Sequence, residues 1–118
     1  MIKKFSDLKA YQSSKELYGK LIEMTRSFPR EGKYLANQLN RAANSIHANI
    51  AEGYGRSEAE FKQYLTRALG SGNEVISHLD DALANRYLSR EVYTSLFDGY
   101  DMVGKQIYRL REKWHKII

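Results

Sequence analysis

The sequence predicts an all-α fold, an antiparallel up-down-up-down four-helix bundle, on three observations. Apolar residues recur at helical spacing through four long segments. The single proline, Pro29, and the glycine-rich break GYGRS fall between segments and not within them. Neither half holds alternating β-branched runs bounded by hairpin turns, so no sheet is expected. With 118 residues the chain is expected to form one domain over 1–118, long enough to bury a core without covalent staples.

The first helix is expected to start near Ser6 or Asp7 and to end at the FPRE break. Tyr11, Ser14, Leu17, Tyr18, Leu21, Ile22, Met24, Thr25 and Phe28 spread over a broad, mostly apolar face. Lys9, Gln12, Glu16, Lys20, Glu23 and Arg26 form the opposite, solvated side. The second helix is expected from about Gly32 to Glu52, with Gly53 as its left-handed stop. On a wheel of about 100° per residue, Leu39, Ala42, Ala43, Ile46, Ile50 and Gly53 share one core stripe. The other side holds Asn37, Asn40, Asn44, Ala48 and Ala51, which are compact and uncharged, and Arg41 is the only formal charge between Tyr34 and Ala51. Another helix approaching that side has no ion to desolvate, which makes it the expected place for a second subunit.

Ser57-Glu58-Ala59-Glu60 is a capping box: the Ser57 side chain accepts from the Glu60 amide while the Glu60 carboxylate reaches back to the Ser57 amide. The third helix is expected from there, with Phe61, Tyr64, Leu65, Ala68, Leu69, Gly72, Val75, Ile76, Leu79, Ala82 and Leu83 in one stripe. Gly70 and Gly72 each cost about 1 kcal/mol relative to alanine in a helix interior, so a closely approaching backbone is expected beside them. A turn over Asn85 to Leu88 leads to Ser89 as N-cap. The fourth helix is then expected to bury Val92, Leu96, Tyr100, Val103, Ile107, Leu110 and Trp114.

The net charge of +5 is compatible with an acidic partner, nucleic acid or an anionic surface, without selecting one. Its distribution is uneven. Residues 57–88 carry Lys62, Arg67 and Arg86 against Glu58, Glu60, Glu74, Asp80 and Asp81, whereas after Gly104 come Lys105, Arg109, Arg111, Lys113 and Lys116 against Glu112 alone. The absence of cysteine removes disulfides, thiolate metal sites and thiol nucleophiles, and fits a reducing compartment. The opening MIKKFSDLKAYQ has no apolar region behind its lysines, and no run of about eighteen apolar residues occurs. A cytoplasmic protein without membrane contact is expected.

Phe28-Pro29 with Glu31, Gln38-Leu39 with Arg41-Ala42-Ala43, Ser45-Ile46, Ala48-Asn49-Ile50-Ala51-Glu52-Gly53 with Gly55-Arg56, and Glu60-Phe61 with Ala68 and Gly70-Ser71 follow one another in an order that spans most of the chain. This succession resembles the bacterial four-helix bundle family of 23S ribosomal RNA intervening-sequence proteins, with the weaker match in the last third. The resemblance implies an antiparallel bundle assembled as a homopentamer, with no enzymatic activity attached. A more distant resemblance, to the accessory protein of diversity-generating retroelements, implies work beside a reverse transcriptase and nucleic acid.

The candidate residues carry two readings each. Asn49, Glu52 and Arg56 bracket the end of the second helix as a polar cluster able to hold a ligand. The structural alternative pairs Glu52 with Arg56 across the turn or a subunit boundary, and lets Asn49 satisfy a neighbouring backbone. Gly53 and Gly55 follow a helix and not a strand, and lack the lysine of a phosphate loop, so a nucleotide is not expected there. Histidines 47, 78 and 115 sit on different helices without a second ligand one turn away, so no metal or other cofactor is expected. His47 and His78 fall off the apolar stripes and read as partly exposed. Asp80 and Asp81 diverge by about 100° and are unsuited to share a proton. No enzyme is predicted.

Lys105, Arg109, Lys113 and Lys116 form a basic row that a nucleic-acid backbone is able to follow. The alternative is an ordinary solvated face, with Asp101 to Lys105 and Glu112 to Lys116 as i,i+4 pairs. Fivefold repetition makes weak contacts avid. Tyr11, Tyr18, Tyr64 and Tyr100 lie on core stripes. Tyr54, beside Arg56, is the better stacking residue, or else a docking contact to a neighbouring subunit, as are Asn49, Glu52 and Gly53. The expected function is a homopentameric bundle binding RNA or DNA, structured RNA in the first place, through Arg41, Arg56, Lys105, Arg109 and Lys113. The alternative is a scaffold or accessory subunit that organises a partner protein.

Overall fold

The computed structural model describes residues 1–115, and Lys116 of the basic row lies outside them. Four helices, α1 (Lys9–Thr25), α2 (Lys33–Gly53), α3 (Glu58–Ala84) and α4 (Arg90–Lys113), form a rod with extents of 51 × 22 × 19 Å. Each helix packs on the next, and α4 closes back on α1, so α2 and α4 stand diagonally opposite in a four-cornered bundle.

Side-chain pairs fix the alternation of direction. Thr25 at the end of α1 meets Asn40 early in α2, while Tyr11 near the start of α1 meets His47 late in α2. Gly53 closing α2 lies on Phe61 and Tyr64 opening α3. Tyr93 at the start of α4 donates to Asp80 late in α3, and Arg111 at the end of α4 donates to Thr66 early in α3. Leu17 of α1 lies against Gly99 of α4.

The apolar stripes meet in the middle. Leu21, Leu39, Ala43, Ile46, Ile50, Leu65, Ala68, Val75, Leu79 and Ala82 are fully buried, joined by Phe61, Val103 and Ile107. Ser14 is buried with them, and Leu8 and Ala10 add to the α1 side of the core. Val92 departs from its expected burial and is 37% exposed, on an open groove that it borders with Lys20, Glu23 and Met24 of α1.

Two helix ends differ from expectation, and a third, at the expected turn after Ala84, closes without a glycine. The chain makes a short 3₁₀ turn over Phe5–Asp7 before α1 begins at Lys9, and Asp7 folds back to accept from the Lys3 and Lys4 amides at 2.9 and 3.1 Å. Gly53 is not the left-handed stop: it is the last residue of α2, and the positive φ of +88° falls at Gly55. What Gly53 supplies is space, since a Cβ there would stand 2.5 Å from Cβ of Tyr64. Beyond α3 the Arg86 amide bonds Leu83 O at 3.0 Å and the Tyr87 amide bonds Ala82 O at 2.9 Å, a Schellman closure in which Arg86, at φ 62°, occupies the position usually given to glycine.

The capping box that opens α3 forms as expected, with the Glu60 amide donating to Ser57 Oγ at 3.2 Å and the Ser57 amide to Glu60 Oε1 at 3.4 Å. The close backbone expected beside Gly70 and Gly72 is not there. A Cβ at Gly70 would meet nothing within 4 Å, and one at Gly72 would only reach Ile46 Cδ1 at 4.0 Å.

Gly53→Ala is therefore expected to destabilise the bundle by about 1–3 kcal/mol through overpacking against Tyr64. Gly70→Ala is expected to stabilise it by about 1 kcal/mol through helix propensity alone. Urea unfolding with a common slope measures both, and a neutral Gly53→Ala would refute the close approach.

Candidate nucleic-acid interface

The cations in the C-terminal half of α4 divide among three surroundings. Lys105 is held by Asp101 at 3.1 Å, one turn earlier. Arg111 turns towards α3, where Nη1 donates to Thr66 Oγ1 at 3.1 Å and the guanidinium lies 5.2 Å from the Tyr108 ring centroid. Arg109, which also borders the opening between α3 and α4, and Lys113 surround, with Lys9 of α1, a groove of about 320 Å³ floored by Leu8, Ala10 and Leu110. Among the described residues none of Lys9, Arg109 and Lys113 has a carboxylate at ion-pair distance. Their charge is left for solvent or an anionic partner.

A second cationic group lies where α2 turns into α3. Arg56 does not pair with the Glu52 carboxylate: its Nε donates to the Glu52 backbone oxygen at 3.0 Å, and Nη1 lies 3.7 Å from Glu60 Oε2. The same guanidinium stands 4.9 Å from the Tyr64 ring centroid, and Arg67, one turn further along α3, stands 4.6 Å from it. Arg67 has no ion-pair partner among the described residues. The Ser57 hydroxyl and amide, with a smaller contribution from Arg56, hold the Glu60 carboxyl below its ordinary pKa. That carboxylate caps the helix and offsets part of the local positive charge.

The turn residues are mostly engaged within the chain. Asn49 Nδ2 donates to Ser45 O at 2.8 Å and to Ser45 Oγ at 3.0 Å, and Ser45 Oγ shares a hydrogen bond with Ser71 Oγ across to α3 at 2.9 Å. Tyr54 is half-buried and meets Phe61 and Trp114 edge-on at centroid distances of 5.9 Å, so its ring belongs to an aromatic cluster, and it also lines a groove with Arg56 and His115. Gly53 is buried, and Glu52 is exposed. Arg41 lies apart, in a shallow polar depression with Gln38, Ser45 and Glu74.

The five expected cations thus do not converge. Arg41 and Arg56 belong to the α2/α3 side, while Lys105, Arg109 and Lys113 lie on α4, diagonal to α2. Lys9 and Arg67 escaped the sequence reading. Arg67 carried a usable signal, three residues after Tyr64 on a capped helix. Lys9 carried none, because its neighbours Arg109 and Lys113 come from the far end of the chain.

His47 also departs from expectation. It is 8% exposed, held against Tyr18 and edge-on to Tyr11 of α1 at centroid distances of 5.2 and 5.8 Å, and its Nδ1 has no hydrogen-bond partner. The wheel placed it between core and surface, and the two tyrosines closed over it.

Residues 6–109 match the model of the family described as 23S rRNA-intervening sequence protein. The chain belongs to that family. A solved structure from Bacteroides thetaiotaomicron VPI-5482, described as a protein with unknown function from the S23 ribosomal protein family, is similar at 25% identity, covering 88% of this chain and 96% of that one, with a TM-score of 0.82. No curated protein matches the chain. Neither the family description nor that of the solved structure names a catalytic activity, and among the described residues no helix is long and apolar enough to cross a membrane.

Burial, and then the charge of Lys15, lower the His47 pKa from its ordinary 6.5. The unfolded chain therefore takes up this proton before the folded one does. The stability contributed by the neutral ring is complete above pH 6.5 and is lost as pH falls from there towards the lower folded value. Denaturant midpoints are expected to fall between pH 7.5 and pH 5 more for the wild type than for His47→Gln. Equal falls would assign the pH dependence to other groups.

Proposed function

We propose that this intervening-sequence protein is a non-enzymatic homopentamer that binds structured nucleic acid, RNA in particular, through repeated surface cations. The observation that carries the reading is the cluster of Lys9, Arg109 and Lys113, three cations with no carboxylate partner among the described residues. Maintaining like charges together costs stability unless an anion neutralises them, and a phosphate backbone is the anion whose spacing suits several at once. Arg67 and Arg56 over Tyr64 supply a second group. The family description, which refers to 23S rRNA, favours RNA over DNA.

The oligomeric part of the reading rests on the outer side of α2. Asn37, Asn44 and Ala48 are exposed in the single chain and carry no charge. Because α2 is diagonal to α4, a ring closed through α2 leaves the α4 cations accessible and repeats them five times. The reading places the protein in the cytoplasm, which its lack of cysteine suits. The second reading is a scaffold or accessory subunit for a partner protein, such as a reverse transcriptase. It is favoured by Lys105 and Arg56, whose charges are met by Asp101 and Glu60 within the chain.

A labelled structured RNA titrated across a salt series is expected to bind with log K falling by about 0.7–0.9 per phosphate contacted for each decade of salt. The triple variant Lys9→Glu, Arg109→Glu, Lys113→Glu is expected to abolish retention at about 50 mM salt, a concentration at which such contacts are strong. Unchanged retention, or none by the wild type, moves the conclusion to the scaffold.

Sedimentation is expected to give five times the 13.7 kDa chain mass, and Ala48→Glu is expected to break the ring. A stable monomer at micromolar concentration refutes the assembly. A substitution at a merely solvated Ala48 changes stability by under about 0.5 kcal/mol.

A further inference from the structure

Between α3 and α4 the bundle is open at mid-height. Gly72 on α3 and Gly104 on α4 both line the opening, and a Cβ added at Gly104 would meet no atom within 4 Å. The resulting groove measures about 310 Å³ and reaches inward to Ile46, Val103 and Ile107. That size is near the lower end of small-ligand sites, roughly 300–1,000 Å³. Its rim is not apolar. Tyr108 stands there 53% exposed, with Lys105 and Arg109 lining the same groove and Arg111 over the Tyr108 ring. Asn73 and Asp101 complete the rim, and Asp101 is the carboxylate that holds Lys105.

An exposed aromatic ring, an adjoining apolar cleft and cations one and three residues away are the elements that single-stranded nucleic-acid sites combine: a surface for a base and charges for the phosphates on either side. A continuous duplex offers the charges its phosphates but keeps its bases stacked inside, so the cleft and the ring gain nothing from it. We propose that the α3/α4 groove receives an unpaired base of a single-stranded or looped nucleic acid, the base against Tyr108 and its flanking phosphates on Lys105 and Arg109. This inference rests on the nucleic-acid reading above and specifies which form of the ligand the chain prefers. Asn73 and Asp101 offer hydrogen-bonding groups for the edge of the base, a donor and acceptor on the first and an acceptor on the second.

The test compares a labelled twelve-nucleotide RNA single strand with a twelve-base-pair RNA duplex, each titrated by fluorescence anisotropy at about 50 mM salt, low enough to retain electrostatic contacts. Wild type, Tyr108→Ala, Tyr108→Phe and Gly104→Leu are measured side by side. Tyr108→Ala is expected to weaken single-strand binding about tenfold, with Tyr108→Phe retaining it. Gly104→Leu, which fills the groove without touching a charge, is expected to weaken it similarly, and duplex binding is expected to stay unchanged in all three. Thermal midpoints by circular dichroism verify that the variants are folded. Equal losses on both ligands, or none on the single strand, overturn the groove assignment while leaving the nucleic-acid reading in place. A wild type that holds neither RNA overturns that reading and the groove assignment with it.

Discussion

The approach of α2 to α3 at Gly53 sets the geometry at one end of the bundle. With no Cβ at that position, the α2 backbone comes down on Phe61 and Tyr64, and any side chain there would have to displace the Tyr64 Cβ at 2.5 Å. The chain then needs only Gly55, at positive φ, to reverse direction before Ser57 caps α3. Tyr54 is drawn against Phe61 and Trp114, which ties the end of α4 to the same turn. Arg56 is carried over the Tyr64 ring, where it meets Arg67. A close helix crossing, an aromatic cluster and a pair of cations thus meet at the turn where Gly53 admits the approach.

The other long helix pair behaves oppositely. α3 and α4 are drawn together near their ends by Asp80 with Tyr93 and by Thr66 with Arg111. At mid-height Gly72 and Gly104 put no side chain into the gap. Glycine in a helix interior costs about 1 kcal/mol relative to alanine. At Gly53 the cost is offset by close packing, whereas at Gly72 and Gly104 no packing offsets it, and what remains is an opening that reaches the core.

Charge follows the same division. On the α2/α3 side, Ser45, Asn49 and Ser71 bond one another, and Arg56 is met by Glu60. On α4 the row splits, with Lys105 neutralised by Asp101, Arg111 turned to α3, and Arg109 and Lys113 left beside Lys9. Exposed ion pairs such as Lys105 with Asp101 contribute little stability, so they remain exchangeable for a phosphate. The unpartnered cations have no such competition among the described residues.

The sequence by itself determined the helices, their order, the core stripe of each and the caps at Ser57 and Ser89, because periodicity and capping are short-range matters settled within a few residues. Leu39, Ala43, Ile46, Leu65, Val75, Leu79, Val103 and Ile107 are all buried where their spacing places them. The candidate cations were legible as residues and not as a site. Whether Lys9 neighbours Lys113, whether Arg67 reaches the ring that Arg56 covers, and whether His47 is closed over by Tyr11 and Tyr18 depend on which flank of one helix meets which flank of another. That is decided by the rotation and separation of whole helices, to which residues distant in the chain contribute together. The same holds for the glycines: Gly53, Gly72 and Gly104 are alike in a sequence, and only the position of the neighbouring helix makes the first a contact and the other two a groove.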